Sequence, residues 1–225
     1  MSDFIKDYYT KLHSKKDHRI NENGHKYKHT YELRKNIIKY MLNKINFNKS
    51  IDILDAGCGS GNIYKDVIMP RFKEINYSLG VDFIENAAYS SNDLFSDFKV
   101  GNVLELSKIS TKKFDLVNST EVFLYISESE RSLFFNEHVN SLKNGGYFLL
   151  TVPNLESFYR KIFKPEKELF PYHFNHKDIL LLSKRNDIEL VATNGIDVFN
   201  NIYTLNHSLK FFVSFELCYL YKKIA

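Results

Sequence analysis

The stretch IDILDAGCGSGNIYKDV, Ile51 to Val67, changes character twice. It opens as an apolar strand, places Gly57, Gly59 and Gly61 in a five-residue span, and continues as a helix-like run. The chain has only nine glycines in 225 residues, so three of them here set this turn apart. Glycine permits tight turns and, with no side chain, lets a ligand reach the backbone. A helix that starts immediately afterwards presents unpaired N–H groups. Asp55 closes the strand just before the turn. A D-x-G-x-G-x-G pattern differs from the dinucleotide fingerprint G-x-G-x-x-G, and it lacks the lysine and Ser/Thr of a phosphate-binding P-loop. A nicotinamide oxidoreductase is therefore disfavoured. Glycine spacing alone also fits a purely structural turn.

Outward from this stretch, strands and helices alternate. IDILDA, NYSLGVDF, DFKVGNV, KFDLVNST, NGGYFLLTVPN, IELVATNGIDVF and VSFELCYLYKK read as strands. NIYKDVIMPRF (ending near Pro70), IENAAYSSNDLF, SESERSLFFNEHVNSLK and NHKDILLLSKRN read as helices. Thr30 to Ile45 has apolar residues at Leu33, Ile37, Ile38, Met41, Leu42 and Ile45, which is helix spacing with Thr30 as a cap. This alternation predicts an α/β, Rossmann-like, doubly wound and mostly parallel sheet of seven strands, with helices on both faces. Ligands in such sheets bind beyond the carboxyl ends of the strands, where the strand order switches.

The residues at those strand ends carry the next signals. Asp82 ends the second strand, where a carboxylate can accept both hydroxyls of a ribose or can cap a helix. Asn102 and Val103 close the third strand and offer an adenine a hydrogen bond and an apolar face. Ser119, Thr120 and Glu121 follow the fourth strand, and the fifth ends at Pro153.

Taken in order, these segments resemble the class I S-adenosylmethionine-dependent methyltransferases over roughly residues 30 to 200. ILDAGCGSGN resembles the first motif of that family, GVDFIENA the second-strand segment, GNVLEL the third, FDLVNSTEVFLYI the fourth and LKNGGYFLLTVPN the fifth. The resemblance implies S-adenosylmethionine as cofactor, S-adenosylhomocysteine as product, no metal, and an antiparallel last strand. It also implies a cofactor site built from Asp55, Gly57, Cys58, Gly59, Gly61, Asp82, Phe83, Asn102, Val103, Ser119 and Glu121. Residues 1–45 are expected to form an N-terminal arm and helix covering the pocket, with Tyr27 near the methionine end, and residues 46–225 the methyltransferase domain. Two positions depart from the family. Asn102 stands where an aspartate is usual, although its oxygen can still accept the adenine amine. Leu124 and Tyr125 stand where many relatives have an acid and a histidine.

Methyl transfer from a sulfonium needs alignment and, for a hydroxyl acceptor, a base. No enzyme nucleophile is needed, so Cys58 reads as a small packed residue. The segment ELFPYHFNHKD holds Tyr172, His173 and His176. Histidine titrates near neutrality, so His173 is the first candidate base, His176 the second, and Tyr172 a neighbour. His176 or Asn175 capping the next helix is the structural alternative.

The turn after the fourth strand has no PPY-type sequence to stack on a flipped base, and no Pro-Cys pair occurs, so nucleic acid is not the expected acceptor. A small molecule remains. The basic run Lys11 to His29 favours an anionic one, and O-methylation of a sugar, nucleotide sugar or phosphorylated metabolite is the leading expectation. N-methylation of a small amine, or cofactor binding without turnover, is the alternative. Two distant cysteines, Cys58 and Cys218, form no disulfide framework or zinc spacing. No apolar run approaches membrane-spanning length, and the longest, LKFFVSFELCYLY, is broken by Glu216. The start MSDFIKDYYTK has early acids and no apolar core. A reduced, cytoplasmic protein is expected. Net charge of +4 argues neither for nor against a polyanionic partner.

Overall fold

A computed structural model of the chain describes residues 24–85, 93–162, 172–205 and 208–224. Helix α1 (Gly24–Leu42) precedes strand β1 (Ile51–Ala56). A π-helical segment (Tyr64–Ile68) runs into the short α2 (Met69–Arg71), then β2 (Ile75–Asp82) and β3 (Asp97–Val100). A 3-10 turn (Val103–Glu105) and α3 (Leu106–Ile109) lead to β4 (Phe114–Thr120). Then come α4 (Arg131–Asn140), β5 (Leu142–Pro153), α5 (Phe158–Ile162), α6 (His176–Leu182) and β6 (Ile188–Ile196). The chain closes with β7 (Ile202–Thr204), α7 (Ser208–Val213) and β8 (Glu216–Lys223).

The eight strands form one sheet in the order β3-β2-β1-β4-β5-β8-β6-β7. Strands β1 to β5 pair in parallel. Strand β8 runs antiparallel between β5 and β6, as expected of the last strand. The order reverses at β1, which lies between β2 and β4. That places the switch directly above the glycine turn.

Burial explains the strand composition. All six residues of β1 are buried, as a central parallel strand covered on both faces requires. Side-chain alternation then divides the core. Leu54, Val117, Phe148 and Leu150, Tyr219 and Tyr221 face one layer with Phe134, Phe135, Val139 and Ile179 of α4 and α6. Ile53, Leu116, Leu149, Cys218 and Leu220 face the other, against Leu33, Ile37, Ile38, Met41 and Leu42 of α1. Each of those fully buried α1 side chains contributes roughly 1.5–3 kcal/mol over its exposed state. Helix α1 is thereby fastened across the sheet face.

The amino ends of β1, β4 and β5 are held by charge. Lys143 donates to Asp52 and Asp115, at 2.7 Å each. Asp115 also accepts the Asp52 N–H at 2.9 Å and pairs with Lys49 at 2.7 Å. This network lies at the edge opposite the glycine turn.

Several elements differ from the sequence expectation. Strand β7 is an eighth strand, only three residues long, paired antiparallel to β6. Helix α1 begins at Gly24, so Thr30 lies inside it and is not its cap. The helical run from Tyr64 ends at Arg71, one residue after Pro70, as expected. The helix expected over Ile84 to Phe95 falls largely outside the described residues, as do residues 1–23 and the Tyr27 side chain.

Candidate active site

The site is built on the carboxyl ends of β1, β2 and β4. Strand β1 delivers Asp55 into the interior, with only 2% of its surface exposed. Asn118 of β4 lies across from it and donates to Asp55 Oδ1 at 2.7 Å. Thr120 in turn donates to Asn118 Oδ1 at 3.2 Å. Asn118 is thus held in one orientation, amide toward Asp55. Burial pushes the Asp55 carboxyl up to about 7, against the Asn118 hydrogen bond and with help from nearby Asp82. A buried carboxylate of this kind is more easily ionised beside a cation.

The glycine turn follows. Gly57 and Cys58 both donate to the Val81 carbonyl, at 2.7 and 3.1 Å, which clamps the turn to β2. Gly57 has a φ of +80°, and a Cβ added there would stand 2.2 Å from Val122 Cγ2. Gly59 has a φ of +52°, yet among the described residues nothing lies within 4 Å of its added Cβ. The turn therefore packs tightly at its first glycine and is open at its second.

Asp82, at the end of β2, accepts from Gly59 N at 2.8 Å through Oδ2 and from Ile84 N at 3.0 Å through Oδ1. It joins the turn to the next segment. A carboxylate offers about four acceptor positions, so Asp82 can serve more than one donor. Asn102 accepts from Leu104 N at 3.0 Å and caps the 3-10 turn. Val103 beside it is buried, and Phe83 is half-buried. Ser119 is fully buried and its hydroxyl donates to the Ala56 carbonyl at 3.1 Å. Its observed contact ties β4 to β1. Burial, with Asp55 and Asp82 nearby, pushes the Cys58 thiol well up, so it carries no nucleophilic thiolate.

Beyond β4 the chain turns through Glu121, which adopts a left-handed φ of 60°. Its N–H donates to the Thr151 carbonyl at 3.1 Å. Its carboxylate meets Arg34 of α1 at 3.0 Å, and the same Arg34 nitrogen reaches Glu216 of β8 at 3.1 Å. Arg160 of α5 approaches Glu216 at 3.5 Å. Burial and the neighbouring Glu216 push the Glu121 carboxyl well above the usual carboxylate range, against the pull of Arg34. Val122 connects this cluster to the glycine turn through its contact with Gly57. Glu216 opposes Pro153 of β5 and Ile196 of β6, so the cluster lies at the ligand edge of the sheet.

Of the three candidates, Tyr172 and His173 precede α6 and His176 is its first residue. His173 is exposed, and its carbonyl accepts from Arg131 at 2.6 Å. His176 Nδ1 lies 2.7 Å from the Tyr219 hydroxyl, and its ring stacks on Tyr219. Burial lowers its pKa. Asn175 caps α6, with Asp178 completing a reciprocal capping box. Tyr172 is half-buried. Among the described residues, no group of three or more His, Cys, Asp or Glu could hold a metal ion.

Residues 54–150, from the end of β1 into β5, match the family model described as a methyltransferase domain. Over that stretch the chain carries a methyltransferase domain, and its fold is that of the class I S-adenosylmethionine-dependent methyltransferases. No curated protein matches it. Among solved structures it resembles a possible histamine N-methyltransferase from Thermotoga maritima, at 13% identity and a TM-score of 0.68, covering 98% of this chain and 100% of that one. It resembles magnesium protoporphyrin IX methyltransferase from Synechocystis with bound S-adenosylhomocysteine at 15% identity and a TM-score of 0.65, covering 97% of each. It also resembles N-methyltransferase NodS from Bradyrhizobium japonicum in complex with S-adenosylhomocysteine, at 14% identity and a TM-score of 0.59, covering 96% and 97%. At these identities the likeness is one of fold.

The site suits this cofactor. Among the described residues, none crowds the flank of Gly59, where a ligand can approach the backbone. Buried Asp55 and Asp82 lie beside that opening, where a sulfonium cation would favour the ionised form of Asp55. The methyltransferase belongs to enzyme class 2.1.1 and uses S-adenosylmethionine, yielding S-adenosylhomocysteine. Sequence reasoning missed Arg34, Arg160 and the joining of Glu121 to Glu216. The one signal for them was Glu216 itself, an acid inside an otherwise apolar run.

Proposed function

We propose that this methyltransferase transfers a methyl group to the nitrogen of a small amine. The observation that carries this reading is the pair of acids at the ligand edge beside the glycine turn, buried Glu216 and partly exposed Glu121. Carboxylates attract and orient N–H donors. An amine nitrogen brings its own lone pair, so transfer needs less help from a base than a hydroxyl does. That agrees with Leu124 and Tyr125 standing where a histidine is common, and with His176 being engaged by Tyr219. Two of the similar folds carry N-methyltransferase in their names. O-methylation of a sugar or phosphorylated metabolite has less support, since its motive was the basic run Lys11 to His29, which lies largely outside the described residues.

The cofactor, when bound, supplies an electrophilic methyl group. Gly57, Gly59 and Gly61 shape the turn that receives it, and Asp82 takes its ribose hydroxyls. Asn102 and Val103 border the adenine, with Phe83 alongside. Asp55, held by Asn118, sets negative potential near the sulfonium. Residues 24–45 cover the acceptor side through Arg34. Label transfer tests the reading: protein incubated with methyl-labelled S-adenosylmethionine and mixed amines and alcohols should yield label on nitrogen. Label on oxygen alone would move the acceptor class to alcohols. Cofactor binding without transfer to either would make the chain a sensor or partner subunit.

A further inference from the structure

A cavity of about 380 Å³ opens at the amino end of the sheet, between the loop that joins α1 to β1 and the loop that joins α2 to β2. Small-molecule sites occupy roughly 300–1,000 Å³. Ile51, the first residue of β1, lines this cavity. The glycine turn lies beyond the other end of the same strand, about 17 Å away at about 3.3 Å per residue. The cavity is therefore separate from the edge that receives the cofactor.

Its wall is divided by chemistry. Phe47, Ile51 and Phe72 form an apolar part, with Ile51 buried, both rings half-buried and their centroids 5.8 Å apart. Lys49, Arg71 and Lys73 bring three cations to the same wall, against a single acid, Glu74. Glu74 accepts from the Ser50 hydroxyl at 2.8 Å, and Lys49 is engaged by Asp115 at 2.7 Å. Arg71 and Lys73 meet no carboxylate among the described residues.

That sets Arg71 apart. Of the other described arginines, Arg34 meets a carboxylate at 3.0 Å, Arg131 at 3.9 Å, Arg160 at 3.5 Å and Arg185 at 2.6 Å. Arg71 is half-buried as well, yet its Nη2 donates to the Ile45 carbonyl at 2.9 Å, and a carbonyl neutralises no charge. The same bond fixes the guanidinium, whose carbon lies 5.4 Å from the Phe72 ring centroid. A held guanidinium matches the oxygens of a carboxylate or phosphate, with the flexible Lys73 ammonium as a second charge. An inorganic anion would leave the apolar part of the wall uncovered. A neutral apolar molecule would leave Arg71 uncompensated. A ring that carries an acidic group satisfies both.

We propose that this cavity binds a small aromatic anion, with its ring against Phe47 and Phe72 and its carboxylate or phosphate on Arg71 and Lys73. The site takes no part in methyl transfer and does not depend on the class of the methyl acceptor.

The test titrates phenyl phosphate, benzoate, inorganic phosphate and benzylamine by calorimetry into the full chain loaded with S-adenosylhomocysteine. Wild type is compared with Arg71→Gln and Lys73→Glu, each checked for fold by circular dichroism. Lys73 is exposed and has no partner to lose among the described residues, so its variant keeps the test decisive if Arg71→Gln fails to fold. Phenyl phosphate or benzoate should bind saturably and at least about tenfold more tightly than inorganic phosphate, a modest return for burying a ring. The tighter of the two names the acidic group, and benzylamine should not bind. Each variant should lose about tenfold or more of that affinity. The Ile51 methyl signal in carbon-13 spectra should move on addition of the aromatic anion, and S-adenosylhomocysteine affinity should match wild type in both variants. The proposal is overturned if neither aromatic anion binds, if inorganic phosphate or benzylamine binds as well as they do, or if the folded variants bind them like wild type. Methyl transfer to amines is read by the separate label assay, so either reading can fail without the other.

Discussion

Replacing Gly59 with alanine separates binding from folding in a way that replacing Gly57 does not. Both residues have positive φ, +52° and +80°. An L-residue there costs roughly 1–2 kcal/mol. At Gly59 that is the whole cost, since its added Cβ meets nothing within 4 Å among the described residues. At Gly57 the added Cβ falls 2.2 Å from Val122 Cγ2, and overpacking adds about 1–3 kcal/mol. Gly57→Ala should therefore lose about 2–5 kcal/mol of stability, and Gly57→Ala with Val122→Ala should recover the steric part. Gly59→Ala should stay folded yet bind S-adenosylhomocysteine some ten- to a hundredfold more weakly, if a methyl in the cofactor's place costs about 1–3 kcal/mol. Urea unfolding gives the first quantity and calorimetry the second. A folded Gly59→Ala protein with wild-type affinity would refute the use of that opening as the cofactor cradle.

Asp55 links cofactor binding to pH. Its carboxyl is raised by burial to about 7 in the folded protein, against roughly 3.9 when unfolded. Between those values the folded state binds the extra proton, so cofactor-free stability falls as pH rises from about 4 to 7, by up to about 1.4 kcal/mol per pH unit. Asp55→Asn should flatten that slope, be more stable than wild type at pH 8 without cofactor, and bind S-adenosylmethionine more weakly. Parallel pH profiles in denaturant melts would contradict this. Asp82→Ala removes the acceptor for two backbone N–H groups, and S-adenosylhomocysteine affinity should fall on the order of a hundredfold with its ribose contact. Unchanged calorimetric affinity would remove the ribose role. Asp115→Ala should lower stability by about 1–3 kcal/mol, since the Asp52 N–H loses its acceptor. Cofactor affinity should stay as it was, because that network lies at the far edge; a change in affinity would contradict the placement.

Most of the cofactor edge was legible because its information is local. An apolar run that ends in Asp55 made β1 readable, and three closely spaced glycines marked the turn. Asp55 and Asp82 could be placed because strand ends follow from the same pattern. Strand β7 was not legible, since three residues at a sheet edge carry too little periodicity to separate from loop. The end of the helix near Pro70 was legible because proline seldom lies far inside a helix. Thr30 has cap chemistry, but the helix continues in front of it. The charge cluster was hidden for a different reason. Arg34, Glu121, Arg160 and Glu216 come from four separate elements, and only the insertion of antiparallel β8 beside β5 brings Glu216 to the ligand edge. Histidines attracted attention by residue type, while the buried acids became visible only through their neighbours.

Titration of S-adenosylmethionine and S-adenosylhomocysteine into the purified, folded chain is the most direct measurement. Saturable one-to-one binding of both, with the S-adenosylmethionine affinity strengthening as pH rises toward 7, is the predicted result. A folded protein that takes up neither would contradict the account at its base.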